Sequence, residues 1–207
     1  MSYEPAVDAV VLDIGGVVMD WDPRHLFGTV IEDEREREWF LAEVCSPAWN
    51  RRQDEGRSWA DAVAQAVADH PQHEQWIRAY DERWIETVAG LYDETVAVLS
   101  ELHDSDTPVY ALTNFSAEKW ALACEQYDLL NSFDGVVVSG EERLAKPDPA
   151  IYRLLAERFG IDPARTFFTD DLQANVDAAR DAGIDAELFT TAAALRDQLV
   201  VRRVLRP

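Results

Sequence analysis

The sequence places a carboxylate at the end of an apolar run, with two glycines close behind it. The run from Ala9 to Leu12 leads into Asp13, Gly15 and Gly16 within the stretch AVVLDIGGVVMDWD. The simple interpretation is a buried strand followed by a polar turn. The alternative is that Asp13 is a nucleophile at a sheet edge, and that the glycines let backbone N–H groups approach an anion.

Further polar residues stand at the ends of other predicted strands or at the entry of a predicted helix. They are Thr113 and Asn114 after PVYAL, Lys146 in RLAKPDP, and Asp170 and Asp171 after RTFFT. Ligands of an open parallel sheet bind beyond the carboxyl ends of its strands. We therefore expect these side chains to gather with Asp13 at one edge of a sheet.

Such a cluster favours phosphoryl chemistry. Carboxylates that share a site repel one another unless a hard cation such as Mg²⁺ joins them, and a bound Mg²⁺ also takes phosphate oxygens as ligands. Lys146 would add a positive charge for a phosphate, and Thr113 would add a hydroxyl donor. Asp13 could then attack phosphorus and form an aspartyl-phosphate.

The elements that position these residues are predicted from the hydrophobic pattern. Strands alternate with helices after about residue 91, which is typical of an α/β fold with a doubly wound parallel sheet, and residues 7–13 add a strand to that sheet. Residues between 22 and 91 show only helical patterns, including one helix over 72–91. The sequence thus predicts a core of residues 1–18 and 92–207, with an inserted α-helical cap of residues 19–91.

One segment of the predicted cap is a candidate for substrate contacts. Residues 46–56, SPAWNRRQDEG, join two predicted helices and contain Trp49, Arg51, Arg52 and Asp54. We interpret the segment as a loop, which either faces the active site or is solvated around a buried tryptophan.

The order of these motifs resembles that of the haloacid dehalogenase (HAD) superfamily. The resemblance rests on the aspartate after the first strand, the Thr-Asn pair after the second, the Lys-Pro pair and the segment FFTDDLQANVDAAR. It covers nearly the whole chain, because the helical insertion is similar to the small helical cap of that superfamily. Within it, LDIGGVVMDWDP and the paired aspartates look most like the small phosphatases related to bacterial glucose-1-phosphate phosphatase.

The resemblance implies a role for each matching residue. The implied Mg²⁺ ligands are Asp13, the carbonyl of Gly15, Asp170 and Asp171. The implied phosphoryl-binding residues are Gly15, Gly16, Thr113, Asn114 and Lys146. Asp13 would be the nucleophile, Lys146 would pair with it and with the phosphate, and Asn175 would brace the loop.

The sequence departs from the phosphatases of this superfamily at Gly15. They usually carry a second aspartate there, two residues after the nucleophile, as general acid and base. Asp20 is the nearest substitute in sequence, although it also fits a plain turn residue. Without a substitute, the enzyme would need leaving groups that are stable unprotonated, or the protein would be a catalytically weakened binding protein of the same fold.

A second alternative is a 2-haloacid dehalogenase-type hydrolase. That branch also lacks the second aspartate and uses an aspartate nucleophile, but it attacks carbon and needs no metal. The adjacent acids Asp170 and Asp171 are not expected there, so Mg²⁺ dependence would separate the two activities.

Composition limits the partners of the protein. The net charge is −21, and Lys119 and Lys146 are the only lysines. Such a surface repels nucleic acids and anionic membranes, and it either aids solubility or reflects adaptation to high salt. The N-terminal residues do not resemble a signal peptide. We expect a cytoplasmic monomer or homodimer that acts on a small phosphorylated molecule.

Overall fold

The computed structural model describes residues 5–207, so the first four residues of the predicted core lie outside the described range. Seven strands lie within these described residues: β1 (Ala9–Leu12), β2 (Met19–Trp21), β3 (Val88–Leu91), β4 (Val109–Thr113), β5 (Gly135–Val138), β6 (Thr166–Asp170) and β7 (Asp185–Leu188). Five of them form a parallel sheet in the order β5-β4-β1-β6-β7. The predicted α/β fold with a parallel sheet is confirmed.

The central strand is apolar throughout because both faces of the sheet are covered. Successive side chains of a strand point to opposite faces. Val10 and Leu12 join the larger hydrophobic cluster on one face, while Val11 joins the smaller cluster on the other. All three are fully buried. An uninterrupted apolar run ended by Asp13 is therefore what this position in a doubly wound sheet requires.

Helices connect the strands: α1 (Pro23–Val30), α2 (Glu34–Trp39), α3 (Pro47–Asp54), α4 (Trp59–Asp69), α5 (Glu74–Glu82), α6 (Asp93–His103), α7 (Ala117–Gln126), α8 (Ser139–Glu142), α9 (Pro149–Phe159), α10 (Gln173–Asp181) and α11 (Ala192–Val201). Several begin at residues that the sequence marks as caps. Asp22 accepts a hydrogen bond from Arg24 N at 2.8 Å, and Ser58 accepts one from Asp61 N at 3.1 Å. Within the described part of the chain, no helix has the length and apolar character needed to cross a bilayer.

Helices α1 to α5, which we call the cap, are inserted between the first strand of the sheet and the next one along the chain. The larger hydrophobic cluster is continuous from the sheet into these helices. It contains Leu12 and Phe167 of the sheet together with Phe27, Trp59 and Tyr80 of the cap. The cap therefore shares a hydrophobic core with the sheet, while the division at residues 18/19 and 91/92 remains a prediction.

The predicted helix over residues 72–91 is wrong in its second half. Helix α5 ends at Glu82, a short 3₁₀ segment covers Trp84–Thr87, and Val88–Leu91 forms β3. This strand pairs antiparallel with β2, which lies just before the cap. Strands of three and four residues are too short for an alternating pattern to stand out in the sequence. The two-stranded ribbon joins the point where the chain leaves the sheet to the point where it returns.

The interpretation of residues 46–56 as a loop is also wrong, because most of that segment forms α3. Ser46 caps this helix by accepting a hydrogen bond from Trp49 N at 3.2 Å, and Pro47 occupies its first turn. A Ser-Pro pair is a typical helix start. The sequence therefore has a capping residue followed by proline at the start of α3, as it has at the start of α1, where Asp22 precedes Pro23.

Candidate active site

The strand order brings the predicted site residues together at one edge of the sheet. Asp13 follows β1, the central strand, while Thr113 ends β4 and Asp170 ends β6 on its two sides. Lys146 lies in the connection between α8 and α9. Thr113, Lys146 and Asp170 are almost fully buried, and Asp13 is also buried. Residues that are far apart in sequence thus form one cluster.

Lys146 links the two sides of this cluster. Its Nζ lies 2.9 Å from Asp13 Oδ1 and 2.6 Å from Asp170 Oδ2, and it also donates to Leu112 O at 2.8 Å. Burial alone would lower the pKa of Lys146, but the carboxylates of Asp13 and Asp170 raise it above its ordinary value. The ammonium is therefore a permanent positive charge beside Asp13.

Asn114 fixes the backbone around Lys146. Its Nδ2 donates to Lys146 O at 2.9 Å, and its Oδ1 accepts from Lys146 N at 2.8 Å. The side-chain amide for which the family resemblance implies phosphoryl binding thus positions the lysine in this structure. Thr113, the other residue of the predicted pair, ends its strand as a buried hydroxyl beside the cluster.

The three aspartates form an all-oxygen donor set. One carboxylate oxygen each from Asp13, Asp170 and Asp171 lies within 4.8 Å of the others. Burial and Asp170 both raise the pKa of Asp171, and burial raises that of Asp13 although Lys146 opposes it. Crowded carboxylates with raised pKa values are stabilised by a cation, and oxygen donors suit Mg²⁺. The donor chemistry of this site therefore fits Mg²⁺.

Asp170 is held by its neighbours more firmly than Asp171. Its Oδ1 accepts hydrogen bonds from Leu172 N and from Asn175 Nδ2, both at 2.9 Å, and its Oδ2 faces Lys146. Asn175 thus braces this loop, as the resemblance implies. Asp171, in contrast, is exposed, although one of its carboxylate oxygens lies within 4.8 Å of those of Asp13 and Asp170.

The two glycines after the nucleophile differ in what they do. Gly16 has φ +71°, and a Cβ there would lie 2.5 Å from Asp171 Oδ2, so only glycine fits. Its N–H donates to Met19 O at 3.0 Å and is already used within the loop. Gly15, in contrast, has nothing within 4 Å of the position that a Cβ would take. Open space therefore lies where a side chain at residue 15 would begin.

A cavity of about 60 Å³ lies between the cap and this edge of the sheet. Its lining includes, from the core, Gly15, Asn114, Ser116 and Lys119, and from α3 of the cap, Asn50 and Asp54. The sequence had marked segment 46–56 for substrate contacts, and α3 brings Asn50 and Asp54 to the cavity. Nothing in the sequence pattern pointed to Ser116, whereas Lys119 stood out as one of only two lysines.

Asp20, the substitute acid suggested by the sequence, is placed differently. It lies on β2, its side chain is 38% exposed, and its Oδ1 lies 3.1 Å from His25 Nε2. It is not among the residues that line the cavity. Asp20 thus lies on a strand and not in the turn that the simple interpretation expected, and its position does not favour the role of substitute acid.

Several contacts close the cap onto the core beside the cavity. Lys119 Nζ binds Asp81 Oδ1 at 2.5 Å and lies 4.5 Å from the centre of the Trp59 ring. Trp59 Nε1 donates to Ser116 Oγ at 2.9 Å. Ser139 Oγ donates to the backbone carbonyl of Asp54 at 2.5 Å. Cap helices α3, α4 and α5 are thus each bonded directly to the core.

Two relatives that match most of the chain are phosphatases. The chain is 25% identical to a phosphorylated carbohydrates phosphatase of Thermotoga maritima over 182 residues, which cover 86% of this chain and 83% of the relative. It is 26% identical to a phosphatase of Mycobacterium tuberculosis over 205 residues, covering 94% and 93%.

Solved structures show the same fold. A HAD family enzyme of Bacteroides thetaiotaomicron, in a magnesium complex, superimposes with a TM-score of 0.71 at 21% identity, covering 89% of this chain and 94% of that one. A dehalogenase structure has a TM-score of 0.67 at 18% identity, covering 93% and 97%. The same fold thus also occurs in a dehalogenase, so the fold alone does not identify the activity of this chain.

The family itself is shown by a sequence model. The model of haloacid dehalogenase-like hydrolases matches residues 7–183, which include Asp13, Thr113, Lys146 and the paired aspartates. The matched segment runs from the first strand of the sheet to the end of α10 and contains the whole cap. This chain belongs to the haloacid dehalogenase-like hydrolase family.

Proposed function

We propose that the protein is a Mg²⁺-dependent phosphatase that hydrolyses small phosphomonoesters through an aspartyl-phosphate on Asp13. The observation that carries the proposal is the pairing of Asp13 with Lys146 inside a cluster of three carboxylates. A metal-independent dehalogenase would have no use for a cation site beside its nucleophile. The phosphatase relatives point the same way, and the relative from Thermotoga maritima makes sugar phosphates the first substrates to test.

The proposed reaction uses the residues of this site in a fixed order. An oxygen of Asp13 attacks phosphorus, the bond to the ester oxygen breaks, and the alcohol leaves after its oxygen has taken up a proton. Water then attacks phosphorus, which releases phosphate and restores the Asp13 carboxylate. Lys146 holds Asp13 in place and offers positive charge to the phosphoryl oxygens.

Asp13, the Gly15 carbonyl, Asp170 and Asp171 would hold the metal. Bound Mg²⁺ would neutralise the charge that the phosphoryl group brings to the carboxylates. Because Asp170 already accepts three hydrogen bonds from Lys146, Leu172 and Asn175, its carboxylate is oriented before any ligand binds. This preorganisation limits the rearrangement that binding requires.

The experiment is a measurement of phosphate release from a panel of phosphomonoesters, with Mg²⁺ and with EDTA. We expect turnover with Mg²⁺ only, and loss of activity in Asp13→Asn by far more than tenfold. Asp69→Asn, an acid-to-amide change at an exposed residue at the end of α4, is the matched control. Halide release from a 2-haloacid without metal would instead identify a dehalogenase, and no turnover of either class would favour a binding protein.

A further inference from the structure

The space beside Gly15 is where the phosphatases that this chain resembles carry their general acid. A Cβ built on Gly15 meets no atom within 4 Å, and Gly15 lines the cavity between the core and the cap. The space that the missing side chain would enter is therefore open, and another residue can reach it from the opposite wall. That wall is formed by the cap.

Asp54 is the carboxyl that lines this cavity from the cap. It ends helix α3 and is partly buried. Its carboxyl accepts a hydrogen bond from Asn50 Nδ2 at 3.1 Å, and the backbone N–H of Ser116 is close enough to favour its charged form. Ser116 belongs to the loop after β4, two residues beyond Asn114. The carboxyl is thus tied to the loop that borders the predicted phosphoryl-binding site.

The surroundings of Asp54 favour a carboxyl that keeps its proton. Burial raises the pKa of Asp54 to about 7, and the charge of Glu55 adds to the effect. The N–H of Ser116, the charge of Arg51 and the amide of Asn50 oppose it without cancelling it. A general acid works best when its pKa lies near the working pH.

Two further groups face the same region from other helices. Tyr80 of α5 interacts electrostatically with Asp54, and burial raises the pKa of this phenol well above its usual value, so it stays neutral. Lys119 of α7 lines the cavity, but its ammonium is bonded to Asp81. Asp54 is therefore the carboxyl of this cavity wall that remains available for proton transfer.

We propose that Asp54, carried into the site by the cap, is the general acid and base of the reaction in place of the side chain that Gly15 lacks. This inference rests on the proposed phosphatase function. It makes the cap a part of the catalytic machinery, because the acid belongs to cap helix α3 and lines the cavity together with Gly15 of the core.

The proposed step is balanced in both halves of the reaction. When Asp13 attacks phosphorus, the electron pair of the breaking P–O bond goes to the ester oxygen, which takes the proton of Asp54 and leaves as the alcohol. Asp54 is then a carboxylate. It removes a proton from the water that attacks the aspartyl-phosphate, so phosphate leaves, Asp13 is again a carboxylate and Asp54 is again protonated.

The test is the dependence of kcat/KM on the leaving group. With Asp54 as acid, the wild type should hydrolyse alkyl phosphates nearly as well as nitrophenyl phosphate. Asp54→Asn should lower kcat/KM for alkyl phosphates by roughly 10²–10⁴-fold and for nitrophenyl phosphate by less than about tenfold, because basic leaving groups depend most on a proton donor. Asp20→Asn is the comparison, and it should give a similar small change on all substrates.

If Asp54→Asn lowers the stability of the protein, a second variant still tests whether a carboxyl in this space acts as the general acid. Gly15→Asp, in the Asp54→Asn background, puts a carboxyl into the same space from the core side, and the backbone of Gly15 lies outside the left-handed region. We expect it to restore alkyl phosphate hydrolysis at least tenfold.

The results distinguish this inference from the function on which it rests. Equal losses on all substrates in Asp54→Asn, or a leaving-group-dependent loss in Asp20→Asn instead, would overturn the role of Asp54. The phosphatase itself would still stand if the wild type is active and Asp13→Asn is not. An inactive wild type would overturn both.

Discussion

The chain has only two lysines, and both lie at or beside the candidate active site. Seventeen of the nineteen basic residues are arginines, whereas Lys119 and Lys146 are both buried at or beside the cavity. A compact ammonium with three donors suits Lys146, which has three oxygen partners in different directions. Arginine, with its planar fork, would not fit these three partners.

The raised pKa of Asp54 has a consequence for stability that is independent of catalysis. The folded protein holds a proton at Asp54 up to about pH 7, whereas the unfolded chain releases it near the ordinary value of 3.8. The stability that this proton contributes is full below pH 3.8 and is lost as pH rises to 7. The free energy of unfolding should therefore fall in this window, by up to roughly 4 kcal/mol.

Asp54→Asn removes this titration. The free energy of unfolding of the variant minus that of the wild type should therefore increase between pH 4 and 7 and stay constant above pH 7. The measurement is urea unfolding of both proteins at several pH values. Since all other titrating groups are shared, parallel curves for the two proteins would contradict the raised pKa.

At the scale of elements, the sheet was predictable and the cap was only partly so. Strands buried on both faces leave continuous apolar runs, and Asp13, Thr113 and Asp170 mark their ends. The ribbon of β2 and β3 was missed because each strand is too short for periodicity. Helix α3 was missed although Ser46 and Pro47 mark its start.

The role proposed for Asp54 depends on contacts that no local pattern contains. In sequence, Asp54 is one acid in a charged stretch beside Arg51, Arg52 and Glu55. Only the packing of α3 against the loop after β4 brings its carboxyl to Ser116 and to the space at Gly15. The side chain missing at Gly15 was evident from the sequence, and Asp54 lay in a segment marked for substrate contacts, but the sequence did not show that its carboxyl lines the cavity at Gly15.

We expect the contact of Trp59 with the core to be a main contribution to the packing of the cap against the core. Trp59 is 1% exposed, and its Nε1–H is bonded to Ser116 Oγ. Trp59→Phe removes this hydrogen bond and part of the buried ring, and we expect it to lower the free energy of unfolding by about 1–3 kcal/mol. Trp39→Phe, at a cap residue that is 43% exposed, should change it by less than about 0.5 kcal/mol.

Urea unfolding of the two tryptophan variants checks this expectation. Because Trp59 lies beside Lys119, the loss in Trp59→Phe should also be accompanied by a higher KM, as the cap closes less firmly. Equal stability of the two variants would show that the cap is held by its apolar packing alone.

At the scale of the whole molecule, the net charge of −21 opposes folding through repulsion. Many ion pairs of the described residues are exposed, such as Arg51 with Glu55 and Arg78 with Glu74, and pairs of this kind contribute little. Salt screens both the repulsion and these pairs. The repulsion is the larger effect, because basic residues number less than half the acidic ones.

The melting temperature should therefore rise when KCl increases from about 0.1 M to about 1 M, as the Debye length falls from about 10 Å to about 3 Å. An uncharged osmolyte at equal osmolality is the control for excluded-volume effects. A melting temperature that stays constant or falls with salt would contradict the importance of repulsion and would count against adaptation to high salt.

The proposed reaction requires that Asp13 carries the phosphoryl group during turnover. The most direct measurement is mass spectrometry of the protein after acid quench of a reaction with Mg²⁺ and a rapidly hydrolysed phosphomonoester. We expect a mass increase of one phosphoryl group on the peptide that contains Asp13, and none in Asp13→Asn. Phosphate release by the wild type with no modification at Asp13, or with the phosphoryl group on another residue, would contradict it.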